Sequence, residues 1–252
     1  MVKVTVCQAE SLHDAGANLQ KIRRIMDSSE GGIFLFPEMF LTGYGSEIPD
    51  GSVLENALKE LQSLCREHDS AIAMGMPIRR NGGIYNTLVF ITPEKTQTYE
   101  KMHLANFGKY DESMFSPGDH PVMVEWKGMR FGLIICYDIF FPELSRYYAV
   151  SGADAILMAS ASAEQSERVM RTMLPARALE NTVYMVFCNN IGAFNDTRFF
   201  GGSSVSLPTG ETAAGAASKE EILTVDIDPE IIRSAREKRP HLRDRRADIF
   251  KI

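Results

Sequence analysis

The chain has 252 residues, of which 44% are hydrophobic and 24% are charged, and its formal net charge is -6 at pH 7. This balance is typical of a globular protein with a substantial core, and the length permits one large domain or two small ones. Because the basic residues are dispersed except near the C-terminus, the charge pattern argues against nucleic acid or an anionic membrane surface as a partner.

The first third of the chain alternates strand-like runs with amphipathic helices. Residues 2–8 alternate like a strand, residues 14–28 place apolar side chains on one helical face, and the apolar run at 32–36 predicts a second strand. After a turn-rich stretch, residues 53–65 again show apolar side chains at helical spacing, and residues 71–78 predict the next strand. The order strand, helix, strand therefore repeats.

The middle third is richer in strands. Residues 84–92 and 96–101 are strand-like and are separated by turn residues, which predicts a hairpin. A loop rich in glycine, aspartate and proline at about residues 105–121 follows. Two further strands are predicted at 122–126 and 131–135, the second of them fully apolar apart from one glycine.

The last third returns to alternating helices and strands. We predict a helix near 142–151, a strand at 154–160, a helix ending near Asn181 and a strand at 183–189. Pro175 should either kink the second of these helices or mark its first turn, since proline is tolerated only there without loss of a hydrogen bond.

Helical and strand segments interleave over nearly the whole length. We therefore expect a single domain over residues 1–252, with a mixed sheet and helices on its faces. No linker-like composition offers a place to divide it. The tail at 231–250 alternates apolar anchors with basic residues, and we expect a solvated arm that packs across the domain or onto a partner subunit.

Cysteine usage and hydropathy bear on cofactors and compartment. Cys7, Cys65, Cys136 and Cys188 show no C-x-x-C spacing, which argues against a zinc site and a disulfide framework. The sequence calls for no other metal or cofactor. All but Cys136 lie in apolar patterns, where free cysteine behaves as a small hydrophobic side chain. Since no apolar run reaches about 18 residues and no leader pattern opens the chain, we expect a cytoplasmic protein.

Cys136 differs because it ends a buried strand-like run and is followed at once by an aromatic residue and an acid. A nucleophile on a sharp turn after a buried strand is presented at the sheet edge, where the next backbone N–H can point at a developing oxyanion. Glu38 lies just past the run 33–36, and Lys101 ends another strand-like segment. A carboxylate, an ammonium and a thiol thus follow three separate strands, as in sites that an α/β scaffold builds from distant sequence.

Two other interpretations compete with this one. His103 beside Cys136 would form a dyad like that of a thiol protease, although the spacing indicates no asparagine or aspartate partner for the histidine. Alternatively, Glu38 and Lys101 are ordinary surface charges and the chain is a non-catalytic binding protein. The presence of all three catalytic residue types counts against that second interpretation.

Three segments, FPEMFLTGY, YEKMHL and LIICYDIFFPELSR, resemble the glutamate, lysine and cysteine motifs of the nitrilase superfamily, the carbon–nitrogen hydrolases, in order and in rough spacing. Further similar segments are NFGKYDE followed by SPGD, ARALEN followed by NNIG, GGSSVSLPTGE and the closing RRADIF. The resemblance covers essentially the whole chain. Three catalytic motifs in order with four flanking ones make a specific signal.

The resemblance implies a role for each matched residue. Glu38 would be the general base, Lys101 would stabilise the oxyanion of the tetrahedral intermediate, and Cys136 would be the nucleophile. The backbone N–H of Tyr137 would be the second oxyanion donor. Each of these groups is of the type that amide hydrolysis by a thiol requires.

A second acidic residue of the family positions the substrate and the lysine. Glu112 is its natural match in this sequence. The interval from Glu112 to Pro117 is one residue shorter than the family's usual interval, so Asp111 could occupy that place instead.

The resemblance also implies a thiol-dependent amidase that hydrolyses a small linear amide to a carboxylate and ammonia through a thioester. The tyrosine and aspartate after Cys136 resemble amidase and ω-amidase members, whereas nitrile-cleaving members tend to have Trp-Glu; nitrilase and N-carbamoyl amide hydrolase activities stay open. We expect Tyr44, Tyr137 and Phe141 to wall the pocket. The implied fold is an αββα four-layer sandwich with two mixed sheets, and a homodimer is expected.

Overall fold

The computed structural model describes residues 1–108 and 110–250, so Lys109 of the predicted loop and residues 251–252 lie outside the described residues. Its helices are α1 (Ala15–Asp27), α2 (Gly51–His68), α3 (Pro142–Val150), α4 (Glu167–Asn181) and α5 (Pro229–Lys238). Its strands are β1 (Val2–Gln8), β2 (Ile33–Leu35), β3 (Ala71–Arg80), β4 (Gly83–Ile91), β5 (Thr96–Glu100), β6 (Met123–Trp126), β7 (Met129–Ile135), β8 (Ala155–Ser160), β9 (Tyr184–Asn189), β10 (Ala193–Phe194), β11 (Thr197–Arg198), β12 (Ser204–Ser206), β13 (Thr212–Gly215) and β14 (Glu221–Ile227).

Two six-stranded mixed sheets form the centre of the molecule. The first has the strand order β14-β1-β2-β3-β4-β5, in which β1, β2 and β3 run parallel and the other neighbours antiparallel. The second has the order β13-β12-β9-β8-β7-β6, in which β7, β8 and β9 run parallel. Strands β10 and β11 form a separate two-stranded ribbon.

Side-chain alternation along the strands divides the structure into four layers. In β3, Ala71 and Ala73 belong to the apolar core shared with the second sheet, whereas Ile72 and Met74 pack with α1 and α2. The two sheets lie face to face, with β1 against β9, β3 against β8 and β4 against β7. Helices α3 and α4 pack on the second sheet. The predicted αββα sandwich is therefore confirmed.

Most elements lie where the sequence pattern places them. The structure removes one of the two alternatives for Pro175 and corrects part of the expectation for the tail. Pro175 lies inside α4, which excludes the alternative that it marks the first turn. The tail at 231–250 does not behave as an arm throughout, because α5 extends to Lys238 and buries Ile232 and Ala235. Among the described residues, no helix is long and apolar enough to cross a membrane.

Candidate active site

Strand direction brings the predicted catalytic residues to one edge of the sandwich. Strands β2 and β5 run in the same direction within the first sheet, since β5 is antiparallel to β4 and β4 is antiparallel to β3. Glu38 and Lys101, which follow β2 and β5, therefore meet beyond the same edge. Cys136 follows β7 of the second sheet, and its side chain lines a cavity of about 280 Å³ together with Lys101 and Glu112.

Lys101 is the centre of the charged cluster. Its Nζ donates to Oε1 of Glu38 at 2.8 Å and to Oε1 of Glu112 at 2.7 Å, and only 1% of the side chain is exposed. Burial alone would lower the pKa of Lys101, but the two carboxylates outweigh burial and hold the pKa well above its usual value. The ammonium therefore stays charged throughout the neutral range.

Glu38 is fully buried, and hydrogen bonds to both carboxylate oxygens fix its side chain. Asn86 Nδ2 donates to Oε1 at 2.7 Å, and the N–H of Ala161 donates to Oε2 at 2.8 Å. Burial raises the pKa of Glu38, and the positive charge of Lys101 only partly opposes this rise. A carboxylate with a raised pKa holds a proton more readily than an ordinary one, which suits it to act as a base.

The backbone that carries Glu38 approaches β3 very closely. A Cβ added at Gly75 would lie 2.4 Å from Cα of Glu38 and 2.3 Å from the amide nitrogen of Met39. Met39 has a φ of 54°, in the left-handed region that a methionine rarely adopts. Only glycine at position 75 allows this turn to pack against the strand.

Cys136 sits on a similarly unusual turn. It has a φ of 45° and opens a 3-10 turn, Cys136–Phe140, whose first backbone N–H groups have no partner inside the turn. Its Sγ lies 3.5 Å from Oγ of Ser162, which in turn lies 2.7 Å from Oγ of Ser160. Strain of this kind is typical of functional turns that surrounding structure holds in place.

The thiol of Cys136 is protonated at neutral pH. Burial and the negative charge of Glu38 raise its pKa to about 12, although the charge of Lys101 and the hydroxyls of Ser160 and Ser162 oppose the rise. A protonated thiol needs a base to take its proton as it attacks. The charges of Glu38 and Lys101 both act on the sulfur, so the three groups form one electrostatic unit.

Asp138, to which the sequence assigns no role in the site, connects the Cys136 turn to the segment that follows β5. Its fully buried carboxylate accepts from the N–H of Ile135 at 3.0 Å, the hydroxyl of Tyr99 at 2.7 Å and the N–H of His103 at 3.0 Å. Nδ1 of His103 also lies 2.8 Å from this carboxylate. His103 thus has an aspartate partner, contrary to expectation, while the thiol contacts Ser162, so the geometry does not support a His103–Cys136 dyad.

The structure distinguishes the two candidates for the second acidic position. Glu112 is 1% exposed, and it accepts from Lys101, from the hydroxyl of Tyr44 at 3.2 Å and from the N–H of Ala105 at 2.7 Å. Asp111 is exposed, and its side chain accepts from the N–H and the hydroxyl of Ser113 within its own turn. Glu112 therefore lies in the cluster and Asp111 does not.

Two of the three predicted wall residues line the cavity. Tyr44 and Tyr137 do so, but Phe141 does not, and Phe140 lines the cavity in its place. The expectation for Phe141 is corrected for a geometric reason: the 3-10 turn ends at Phe140, and Phe141 stacks on His103 with ring centroids 3.5 Å apart.

Several supporting residues of the site were not predicted from the sequence. Asn86 lies within β4 and Ser162 follows β8, at the same edge as Cys136. The rule that polar residues at the ends of parallel strands meet at one edge could have found Ser162, whereas Asn86 gave no such signal. Among residues 1–108 and 110–250, no group of three or more His, Cys, Asp or Glu side chains could hold a metal ion.

The sequence model of the carbon-nitrogen hydrolase family matches residues 3–237. The match covers most of the chain. This protein therefore belongs to the carbon-nitrogen hydrolase family, which confirms the resemblance to the nitrilase superfamily.

Several individual relatives of the chain are amidases or members of the nitrilase superfamily. The chain is 33% identical over 241 residues to an (R)-stereoselective amidase of a Pseudomonas species, covering 92% of this chain and 87% of that protein. It is 30% identical over 259 residues to omega-amidase YafV of Escherichia coli K12, covering 100% of this chain and 98% of YafV. The crystal structure of Saccharomyces cerevisiae Nit3, a member of branch 10 of the nitrilase superfamily, matches with a TM-score of 0.82 and 26% identity, covering 95% of this chain and 94% of Nit3. The protein is thus a carbon–nitrogen hydrolase with amidases among its relatives.

Proposed function

We propose that this protein is an amidase that cleaves a linear amide to a carboxylate and ammonia through a thioester on Cys136. The observation that carries the proposal is the buried ammonium of Lys101, which bonds to Glu38 and Glu112 and lines one cavity with the thiol. A positive charge fixed beside a nucleophile stabilises negative charge that appears on a substrate oxygen far better than a water-exposed charge does.

The first half of the reaction forms the thioester. Glu38 takes the proton of the Cys136 thiol as the sulfur attacks the amide carbonyl carbon, and the carbonyl oxygen becomes an oxyanion. Lys101 Nζ and the backbone N–H of Tyr137 stabilise that oxyanion. Glu38 then gives its proton to the amide nitrogen, the carbon–nitrogen bond breaks, and ammonia leaves.

The second half of the reaction restores the enzyme. Glu38 takes a proton from water as the water oxygen attacks the thioester carbonyl, and the same two donors stabilise the second oxyanion. The carbon–sulfur bond breaks, the sulfur recovers its proton from Glu38, and the carboxylic acid product departs. Oγ of Ser162 lies 3.5 Å from the sulfur and can donate to it as the thiolate leaves.

An ammonia-release assay tests this proposal. We expect release from aliphatic amides or ω-amides by the wild-type protein and by Cys188→Ala, which removes another buried free cysteine away from the cavity. Cys136→Ala should release none. Equal release by Cys136→Ala would contradict the proposal, and turnover of nitriles or N-carbamoyl compounds without turnover of any amide would replace the amidase with one of those activities.

A further inference from the structure

The cavity changes in character from its floor to its mouth. The reacting groups lie at the floor, since Lys101 and Glu112 are 1% exposed and Cys136 is 9% exposed. Phe107 and Phe140 lie at the mouth, where they are 49% and 37% exposed. A substrate whose carbonyl reaches the thiol therefore places the far end of its acyl group among aromatic rings.

These rings form a continuous apolar wall. The ring of Tyr137 lies between those of Phe107 and Phe140, with centroid distances of 4.9 and 5.4 Å, and Tyr110 lies 5.5 Å from Phe107. Met170 adds a flexible apolar side chain to the same lining. Large apolar side chains that stay this exposed beside a polar site are typical of a surface that a ligand covers.

The described residues that line the cavity offer no free positive charge to a substrate. Among the described residues, Lys101 is the one cation that lines the cavity, and two carboxylates already hold it. The hydroxyl of Tyr44 donates to one of these carboxylates, Glu112. A substrate carboxylate would lose its hydration here, would meet no free cation among the described residues and would face Glu112.

We propose that the site takes primary amides with an uncharged apolar acyl group, best an aromatic ring on a short alkyl chain, and that it discriminates against amides that carry a carboxylate. This inference rests on the proposed amidase activity and names the substrate class of that same site. The volume of the cavity agrees with such a substrate, because a cavity of about 150 Å³ is enough to hold benzene and this cavity measures about 280 Å³.

The first test compares 3-phenylpropanamide, hexanamide and 4-carbamoylbutanoate as substrates of the wild-type protein. We expect kcat/KM for 3-phenylpropanamide to exceed that for 4-carbamoylbutanoate by at least about tenfold, with hexanamide between them, because the buried carboxylate meets no free cation among the described residues. A preference for 4-carbamoylbutanoate would overturn the inference and leave the amidase in place. If none of a broad range of amides releases ammonia, the proposed function fails instead.

Two variants at the mouth test the role of the rings. Phe107→Ala should lower kcat/KM about tenfold more for 3-phenylpropanamide than for acetamide, since only the longer acyl group reaches the ring. Phe107→Lys should raise the relative rate for 4-carbamoylbutanoate by supplying the missing cation. Phe140→Ala repeats the first test at a second position.

A matched control keeps these results interpretable. Phe250 is an exposed phenylalanine that does not line the cavity, and Phe250→Ala should change neither substrate preference nor rate. Equal losses for acetamide and 3-phenylpropanamide in both Phe107→Ala and Phe140→Ala would show that the rings support the fold of the turn and do not bind the acyl group. That result would overturn the inference.

Discussion

The ammonium of Lys101 and the carboxylates of Glu38 and Glu112 are all enclosed by protein. Moving such charges out of water costs several kcal/mol each, and their mutual attraction offsets this cost only while every partner is present. Removal of one partner leaves the others as buried charges without full compensation. Substitutions at these three positions therefore act on chemistry and on stability together, and each needs a control that separates the two.

Glu112 and Asp111 provide such a comparison, because they are adjacent in sequence and only one lies in the cluster. Glu112→Gln keeps the shape of the side chain but loses the charge that holds Lys101, so we expect kcat to fall by about 100-fold or more. Asp111→Asn should stay within about twofold of the wild type, as exposed substitutions usually do. Steady-state ammonia release measures both, and equal effects of the two substitutions would contradict the assignment of Glu112.

The thiol of Cys136 gives a second prediction, which concerns how its reactivity depends on pH. The negative charge of Glu38 is one of the causes that raise the pKa of the thiol, so Glu38→Gln should lower that pKa. The rate of alkylation of Cys136 by iodoacetamide should then rise at lower pH in Glu38→Gln than in the wild type, while ammonia release is lost. Peptide mass spectrometry identifies the alkylated cysteine. An alkylation profile that stays in place or moves to higher pH would contradict this electrostatic account.

Secondary-structure elements place the site, because residues distant in sequence meet where strand ends share an edge. Strand positions and the residues Glu38, Lys101 and Cys136 could be predicted from apolar runs followed by chemically active side chains. Phe140 could not be distinguished from Phe141, because the direction of a side chain in a 3-10 turn depends on hydrogen bonds that the apolar pattern does not show. Helix α5 was missed although Asp228 and Pro229 form a recognisable helix start, because basic residues dominate the composition of the tail.

The close contact between β3 and the turn that carries Glu38 gives a prediction about secondary-structure packing. Gly75→Ala places a methyl group within 2.4 Å of Cα of Glu38, so the turn must shift away from the strand. We expect a loss of about 1 to 3 kcal/mol in the free energy of unfolding, together with a fall in kcat that exceeds what lower stability explains. Gly51→Ala is the matched control, since a Cβ there meets nothing within 4 Å. Full activity in Gly75→Ala would show that the position of Glu38 does not depend on this contact.

The whole molecule buries all four of its cysteines as free thiols. Burial is the largest cause that raises the pKa of each thiol, which reaches about 12 for both Cys65 and Cys136. A group that holds its proton more tightly when folded adds stability below its unfolded pKa, and that stability is lost as the pH rises toward the folded pKa.

The homodimer that the family resemblance implies stays a prediction, and sedimentation of the purified protein measures the oligomeric state.

Cys65, which lies away from the cavity, isolates the effect of thiol burial on stability. Its ordinary pKa is 9.0, so above pH 9 the unfolded chain gives up a proton that the folded chain keeps. The wild-type free energy of unfolding should therefore fall with pH between 9 and 11, and Cys65→Ala should make this fall shallower by about 1.4 kcal/mol per pH unit. Urea unfolding at several pH values measures the two slopes. The difference in the free energy of unfolding between the two proteins at pH 7 gives the packing energy that the substitution removes. Identical slopes in the two proteins would contradict the prediction.

The most direct test of the account is a search for the acyl-enzyme itself. The protein is mixed with a good amide substrate, quenched in acid during turnover, and analysed by intact mass and by peptide mapping. We predict an added acyl group on the peptide that contains Cys136, seen during turnover and absent from Cys136→Ala, which also releases no ammonia. Turnover that continues in Cys136→Ala, or an acyl group found on another residue, would contradict the central claim that Cys136 is the nucleophile served by Glu38 and Lys101.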